Sequence, residues 1–213
     1  NGYGDPLYVN VGYAWREQFK NNPPEVPTVN NHVGSYRREI MVPASWNGKE
    51  IIAHFGSVTS NMYLWVNGKY VGYSEDSKLE AEFNLTPYLK PGQKNLIAFQ
   101  VFRWCDGTYL EDQDKFRMTG IFRDVYLLKR PEAVLYDYFT TTKLLGSAAE
   151  VEICAKFLGN AAETVNIRIQ DMDGNTVQRV DLKKQLKGNT PIKQCLQSWN
   201  RSSGIRKRHI FIR

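Results

Sequence analysis

The chain lacks the features that mark membrane proteins, zinc proteins and histidine-based catalysts. No apolar run reaches 18 residues, and no charged and then apolar leader precedes a cleavage-like site, so we expect neither a membrane span nor a signal peptide. The three cysteines, Cys105, Cys154 and Cys195, are far apart in sequence, and the three histidines are scattered. A zinc site and a catalytic triad are therefore not expected.

An excess of positive charge is also missing from most of the chain. Lys and Arg outnumber Asp and Glu by 28 to 22, but residues 182–213 hold nine of the basic residues and no acidic one. Residues 1–181 therefore hold 19 basic and 22 acidic residues. A folded nucleic-acid-binding protein carries its positive charge on its folded part. We expect no nucleic-acid partner, and a function of the basic tail is the alternative to test.

Long helical periodicity is absent, and short β-like runs take its place. These runs recur every 8 to 15 residues or so, with Gly, Pro and Asn between them, which is typical of an antiparallel sandwich. Asn67 and Gly68 separate the runs MYLWV and KYVGY. Because Asn-Gly accepts positive φ at both positions, it predicts a type I′ hairpin turn. The sequence therefore predicts an all-β fold.

The β pattern restarts after the polar, proline-containing segment at residues 129–133. Apolar residues then alternate cleanly with polar ones at Val151, Ile153, Ala155 and Phe157, and again at Val165, Ile167 and Ile169. This alternation indicates a half-buried sheet, as in an immunoglobulin-like sandwich. With 213 residues, of which 42% are apolar, the chain is long enough for two small domains.

One polar segment, residues 103–125, lies between the β-like runs at residues 95–102 and 125–129 and is rich in aromatic, acidic and basic residues. Glycoside hydrolysis needs two carboxyl groups, one with a raised pKa. Glu111, Asp112 and Asp114 are the candidates for this pair, but nearby cations lower a carboxyl pKa. Those cations belong to Arg103, Lys115, Arg117 and Arg123. We therefore expect no catalytic residue here, and the chemistry leaves ligand binding and structural ion pairs open.

The amino-acid sequence of this segment, RWCDGTYLEDQDKFRMTGIFRDV, resembles the motif RWxDGxYLEDQDxxRxSGIFRDV. That motif belongs to the N-terminal sugar-binding domain of β-galactosidases of glycoside hydrolase family two. A weaker resemblance extends from Tyr8 to Arg130 and includes a PPxVP element at residues 23–27. The resemblance implies a jelly-roll β-sandwich of the galactose-binding type at residues 1–131 and a smaller immunoglobulin-like β-sandwich at residues 132–213.

The second domain is expected to be incomplete at its C-terminal end. Its family counterpart closes with a strand, whereas this chain ends in QSWNRSSGIRKRHIFIR, which is basic and shows no strand alternation. We interpret about the last 15 residues as a frameshifted end. The neighbouring strand would then keep an open edge.

The resemblance implies that the chain is a non-catalytic N-terminal portion of a β-galactosidase, an enzyme that hydrolyses terminal β-D-galactosides. The catalytic glutamates of such enzymes lie in a following (β/α)8 barrel, so the chain alone should be inactive. Asp114 matches the aspartate that reaches the galactose pocket of the barrel, where it helps to hold a monovalent cation and a sugar hydroxyl. A pocket asparagine of the family, six residues before the hairpin Trp, is replaced by Thr59, with Asn61 two residues further on. In this chain, the sugar contact of that asparagine is expected from Thr59 or from Asn61, or it is absent.

Six further residues are expected to support the loop: Arg103, Asp106, Glu111, Asp112, Arg117 and Arg123. Ion pairs are expected between Arg103, Arg117 and Arg123 on one side and Glu111, Asp112 and Asp124 on the other. Large aromatic residues in a sandwich mostly pack in the core, so Trp65 and Trp104 are expected there. Gly107 and Gly120 are expected to adopt positive φ.

The resemblance implies no cofactor in this chain, although sodium or magnesium would fit the full-length enzyme. The expected partners are a galactoside and the catalytic barrel of the parent polypeptide, with no nucleic acid and no membrane. A homo-oligomer and a bacterial cytoplasmic or periplasmic location stay open. A free-standing carbohydrate-binding module or lectin is the main alternative, and a β-sandwich adhesion or scaffold protein is another.

Overall fold

The computed structural model describes the backbone of residues 7–9, 12–16, 18–111, 115–117, 119–145, 148–160, 162–170, 173–197 and 209–212. Side chains are described for a narrower set, which omits residues 7–9, 115–117, 145, 148–149, 162–163, 197 and 209–212. The chain divides into two compact units, Asn1–Lys129 (unit 1) and Arg130–Arg213 (unit 2). In both units the regular structure of the described residues is nearly all antiparallel strand, which confirms the all-β prediction. Among the described residues, no helix has the length and apolar character needed to cross a membrane.

The described part of unit 1 contains strands and two short 3-10 helices. The strands are β1 (Leu7–Val9), β2 (Val33–Met41), β3 (Ile51–Phe55), β4 (Val58–Thr59), β5 (Asn61–Val66), β6 (Lys69–Glu75), β7 (Ala81–Asn84), β8 (Lys94–Phe102), β9 (Lys115–Arg117), β10 (Gly120–Ile121) and β11 (Val125–Lys129). The 3-10 helices are Ala44–Trp46 and Asp106–Tyr109.

Unit 1 is a sandwich because two of its sheets share one core. The first sheet has the order β2-β8-β5-β6 and the second the order β11-β3-β7. Phe55 on β3 and Met62, Leu64 and Val66 on β5 are buried in the same cluster. Two shorter pairs, β10-β4 and β1-β9, complete the described strands.

The β5-β6 hairpin confirms the Asn-Gly turn and corrects one core assignment. Asn67 and Gly68 have φ of 51° and 78°, as a type I′ turn requires. Trp65, which was expected in the core, is only half-buried. Successive strand residues point to opposite faces, and Met62, Leu64 and Val66 take the core face. Trp65 packs beside Tyr63 and Tyr70, with ring centroids 6.2 and 5.8 Å away.

Unit 2 has its own core between two further sheets. Its described strands are β12 (Ala133–Leu145), β13 (Ala148–Gly159), β14 (Ala162–Gln170), β15 (Thr176–Gln185), β16 (Gly188–Gln197) and β17 (His209–Ile212). The sheets have the orders β12-β13-β16 and β15-β14-β17. The alternating residues predicted to face inward on β13 and β14 are all buried in one cluster, which confirms the predicted half-buried pattern.

The tail corrects one expectation. Strand β17 pairs with β14 from Ile167 to Gln170, so these four residues do form a strand and cover part of the edge expected to be open. Ile210, Phe211 and Ile212 have the β-branched and aromatic side chains that favour strands. Residues 198–208 and 213 lie outside the described residues. The frameshift and the incompleteness of the domain stay predictions.

Candidate functional site

The loop that follows β8 begins with a set of backbone anchors. Asn31 binds both backbone groups of Trp104: its Oδ1 accepts from Trp104 N at 2.9 Å, and its Nδ2 donates to Trp104 O at 3.1 Å. Arg103 N donates to His32 O at 2.9 Å. Cys105 N donates to Thr108 Oγ1 at 3.2 Å, which closes the start of the short helix. The chain therefore leaves the sheet in a fixed direction.

An aromatic cluster joins this loop to the N-terminal arm. Trp104 and Tyr109 are 6% and 8% exposed, which confirms that Trp104 is buried. Phe19 of the arm packs edge-on against both rings at 5.5 Å, and Trp15 lies 5.3 Å from Tyr109. The Tyr109 hydroxyl lies 2.6 Å from Glu25 O and accepts from a backbone N–H at 3.3 Å. These rings are packing residues and not an open sugar platform.

The segments on both sides of Asp114 are held, whereas Asp112 and Asp114 themselves lie outside the described residues. Before them, Glu111 Oε1 accepts from Ser77 N at 3.2 Å. After them, β9 pairs with β1 of the arm, with Arg117 opposite Leu7. The arm therefore contributes a strand to the loop.

The described arginines use other acceptors than the expected carboxylates. Arg123 donates to Gly56 O at 3.4 Å and to Lys78 O at 3.3 Å, and the Arg103 guanidinium lies 5.2 Å from the centre of the Trp104 ring. Neither makes an ion pair with a described carboxylate, so pairing with Asp124 or Glu111 is not found. Backbone carbonyl groups compete with carboxylates for the Arg123 donors. The side chain of Arg117 lies outside the described set.

The two glycines of the loop differ in backbone conformation. Gly120 has φ of 121°, as expected, whereas Gly107 does not adopt a positive φ. Gly107 lies inside the 3-10 helix, whose backbone has ordinary negative φ. A Cβ at Gly107 would lie 3.6 Å from Cys105 Sγ, which is ordinary van der Waals contact, so neither backbone conformation nor space requires glycine there.

Thr59 and Asn61, the expected sugar-contacting residues, are 3% and 6% exposed. The Thr59 hydroxyl donates to Ser77 O at 3.0 Å and accepts from Lys78 Nζ at 3.0 Å. Asn61 Nδ2 donates to Tyr73 Oη at 3.1 Å, and Asn61 Oδ1 has no partner among the described residues. This burial favours a role in holding the sandwich edge, and sugar contact by either residue stays a prediction.

Three groups that the sequence did not connect come together beside Asn61. Carboxylate oxygens of Glu75 and Asp106 and the sulfur of Cys105 lie within 4.8 Å of one another. The Tyr73 hydroxyl donates to Glu75 Oε2 at 2.7 Å and links this cluster to Asn61. Glu75 ends β6 and Cys105 follows β8, so only the strand order of the sheet could have revealed the cluster.

The surroundings of this cluster favour the neutral forms of its weak acids. Burial, the largest cause, raises the pKa of Cys105 to about 11, and the Glu75 charge adds to the rise. Burial also raises the pKa of Tyr73, with a further contribution from Glu75. At neutral pH the cluster therefore has a thiol and a phenol beside the Glu75 and Asp106 carboxyl groups.

Glu75 and Asp106 offer two neighbouring carboxyl groups to a cation. The two carboxyl groups suit a hard cation such as magnesium, whereas a protonated thiol does not. Asp114, the residue expected to hold a monovalent cation, lies outside the described residues. Glu75 and Asp106 are thus the described residues that would hold a hard cation, which would reduce the repulsion between their charges.

Comparison with known proteins assigns the family. The model of the glycosyl hydrolases family 2 sugar binding domain matches residues 1–131. A β-galactosidase of Priestia megaterium is 46% identical over 143 residues, which cover 67% of this chain and 14% of that protein. A β-galactosidase of Yersinia pestis is 48% identical over 159 residues, or 73% of this chain and 14% of that protein. The chain belongs to glycosyl hydrolase family 2, as the loop motif predicted, and it carries the N-terminal sugar-binding domain.

Solved structures show the same fold. A family 2 glycosyl hydrolase of Bacteroides cellulosilyticus matches with a TM-score of 0.64 and 24% identity, over 79% of this chain and 22% of that one. A β-glucuronidase of Ruminococcus gnavus in complex with uronic isofagomine matches with a TM-score of 0.63 and 21% identity, over 85% of this chain and 32% of that one. The chain spans only about a seventh of the length of the curated relatives it matches.

Proposed function

We propose that this chain is the non-catalytic N-terminal portion of a β-galactosidase and that its loop contributes Asp114 to a galactose pocket formed mainly by a catalytic barrel. The family 2 match over residues 1–131 and the two β-galactosidase relatives support this proposal. The chain covers 14% of each of these relatives, which is consistent with a larger parent enzyme. A galactoside and the barrel are therefore the proposed partners.

The observation that carries the proposal is the double anchoring of the loop. Glu111 is held by Ser77 N on one side of Asp114, and β9 is paired with β1 on the other. A side chain that must meet a sugar in a pocket built by another domain needs a preset position. Anchors on both sides reduce the conformational entropy lost when the pocket forms.

Hydrolysis by the chain alone is not part of the proposal. Retaining and inverting glycosidases need two carboxyl groups placed about 5 to 10 Å apart around the glycosidic bond, one of them with a raised pKa. Sugar binding by one open wall should also be weak, in the millimolar range or undetectable.

The test joins this chain to the remainder of the Priestia megaterium β-galactosidase in place of the matched segment. Asp114→Asn should lower kcat/KM for an aryl galactoside by roughly 10²-fold or more, because a misplaced or missing pocket group has that effect. Asp137→Asn, an exposed acid of unit 2, is the matched control and should leave the activity unchanged. Equal activity of the Asp114→Asn hybrid and its parent would overturn the proposed role.

The same material separates this proposal from a free-standing lectin. Calorimetric titration of the purified chain with galactose should give millimolar or undetectable binding. Micromolar affinity without any barrel would favour the carbohydrate-binding module. Turnover of an aryl galactoside by the purified chain, lost in Asp114→Asn, would contradict the expectation that the chain alone is inactive.

A further inference from the structure

Strands β13 and β16 of unit 2 bring together two cysteines that are 41 positions apart in sequence. In the antiparallel register, Glu152 lies opposite Cys195, and Cys154 lies opposite Lys193. Val151, Ile153 and Ala155 of β13 face the core, so Glu152 and Cys154 share the outer face. The two cysteines are therefore diagonal neighbours on the outer face of the sheet, with Cα atoms roughly 7–8 Å apart.

Both thiols converge on the same carboxylate. The Cys154 sulfur lies 3.8 Å from Glu152 Oε1, and the Cys195 sulfur lies 3.6 Å from Glu152 Oε2. Lys193 Nζ lies 2.8 Å from Oε2 and neutralises the carboxylate in the present arrangement. Cys195 is exposed and Cys154 half-buried, so solvent reaches the group.

We propose that Cys154, Glu152 and Cys195 form a binding site for a thiophilic divalent cation such as Zn²⁺ or Cd²⁺. Zinc prefers sulfur, nitrogen and carboxylate oxygen in a tetrahedron, with Zn–S near 2.3 Å and Zn–O near 2.1 Å. Those bond lengths place a sulfur and an oxygen ligand about 3.6 Å apart. Both present sulfur-to-oxygen separations are close to that value, but the two sulfurs lie against different oxygens of Glu152. The three ligand atoms do not all lie within 4.8 Å of one another, so the cysteine side chains must rotate to bring both sulfurs to one oxygen.

The binding step has a simple proton balance. The ion takes two thiolates and one carboxylate oxygen, and water fills the fourth position, as in an open site. Two thiol protons are released to solvent, because only thiolates bind the metal. The Lys193 ammonium leaves the carboxylate and returns to water, which its exposed position allows. Lys193 therefore competes with the ion for Glu152.

The experiment is a Cd²⁺ titration of the reduced full chain in a Cys105→Ser background, where Cys154 and Cys195 are the remaining thiols. We expect one ion per monomeric chain by equilibrium dialysis, a thiolate-to-metal absorption band of two-thiolate intensity, and proton release. Adding Cys154→Ser or Cys195→Ser should weaken binding by roughly 10-fold or more, since even the loss of an outer-shell partner costs that much. Adding Lys193→Gln should tighten it.

Two outcomes would overturn the proposal. An affinity for Cd²⁺ that is unchanged when either Cys154→Ser or Cys195→Ser is added to Cys105→Ser would show that the two thiols do not act together. One ion shared by two chains, with dimer formation, would show that each thiol meets a partner from another molecule. Circular dichroism verifies folding, and if Cys154→Ser unfolds the unit, Cys195→Ser at its exposed position and Glu152→Gln give the same comparison.

Discussion

Tyr109→Phe tests whether the arm holds the loop. The Tyr109 hydroxyl lies 2.6 Å from Glu25 O and 3.1 Å from Lys20 O, and it accepts from Asn22 N at 3.3 Å. The substitution keeps the buried ring and removes only this oxygen. Because Lys20, Asn22 and Glu25 are exposed and water can partly replace the lost hydroxyl, we expect a loss of about 0.5–1.5 kcal/mol in the free energy of unfolding.

That loss corresponds to a fall in Tm of about 4 °C per kcal/mol for a unit of this size. The effect should be local as well, since the hydroxyl joins residues 20–25 to the loop. Limited proteolysis or hydrogen exchange should therefore show faster opening of the arm than of the β5-β8 core in the variant.

Tyr70→Phe is the matched control, because Tyr70 is half exposed and lies on the outer face of the hairpin. It should change the free energy of unfolding by less than about 0.5 kcal/mol. If Tyr109→Phe has the same Tm as the parent and the arm remains as protected as before, the hydroxyl is not an anchor. The arm would then be held by the aromatic rings alone.

Two further changes probe the cluster and the two cores. Burial raises the pKa of Cys105 from 9.0 to about 11, so the protonated thiol contributes stability that is present below pH 9 and is lost as pH rises towards 11. Cys105→Ser should therefore flatten the plot of unfolding free energy against pH between pH 9 and 11. An unchanged slope would contradict the assignment. Phe55→Ala should destabilise unit 1 by about 3–5 kcal/mol and Ile153→Ala should destabilise unit 2 by about 2–5 kcal/mol, because each removes a fully buried side chain. Hydrogen exchange followed by peptide should place each loss in its own unit, and loss of protection in both units from either change would refute separate cores.

The strands were predictable where one residue in two faces a core. Val165, Ile167 and Ile169 follow that rule and are buried. The same period also held the signal that corrects Trp65, because Met62, Leu64 and Val66 occupy the core face of β5 and leave the opposite face to Trp65. Ring size was the wrong guide there.

The partners of charged side chains were less predictable. The sequence predicts that Arg123 pairs with a nearby acid, yet its guanidinium donates to the carbonyl groups of Gly56 and Lys78, which are 67 and 45 positions away in sequence. Every residue carries a carbonyl acceptor, so the residue type carries no information about this choice. The Glu75, Cys105 and Asp106 cluster was missed for a related reason, since it depends on how β6 and β8 are ordered around β5.

The loop motif identified the family, but the motif alone cannot position Asp114. A segment as long as residues 103–125 loses much conformational entropy when it is ordered. The described anchors come from elsewhere: β1 pairs with β9, Asn31 binds Trp104, and Ser77 binds Glu111. All of these partners lie within residues 1–131, the range of the family model. The sugar-binding geometry that we propose is therefore a property of the whole of unit 1, and the loop transferred to another β-sandwich would lack the contacts that order it.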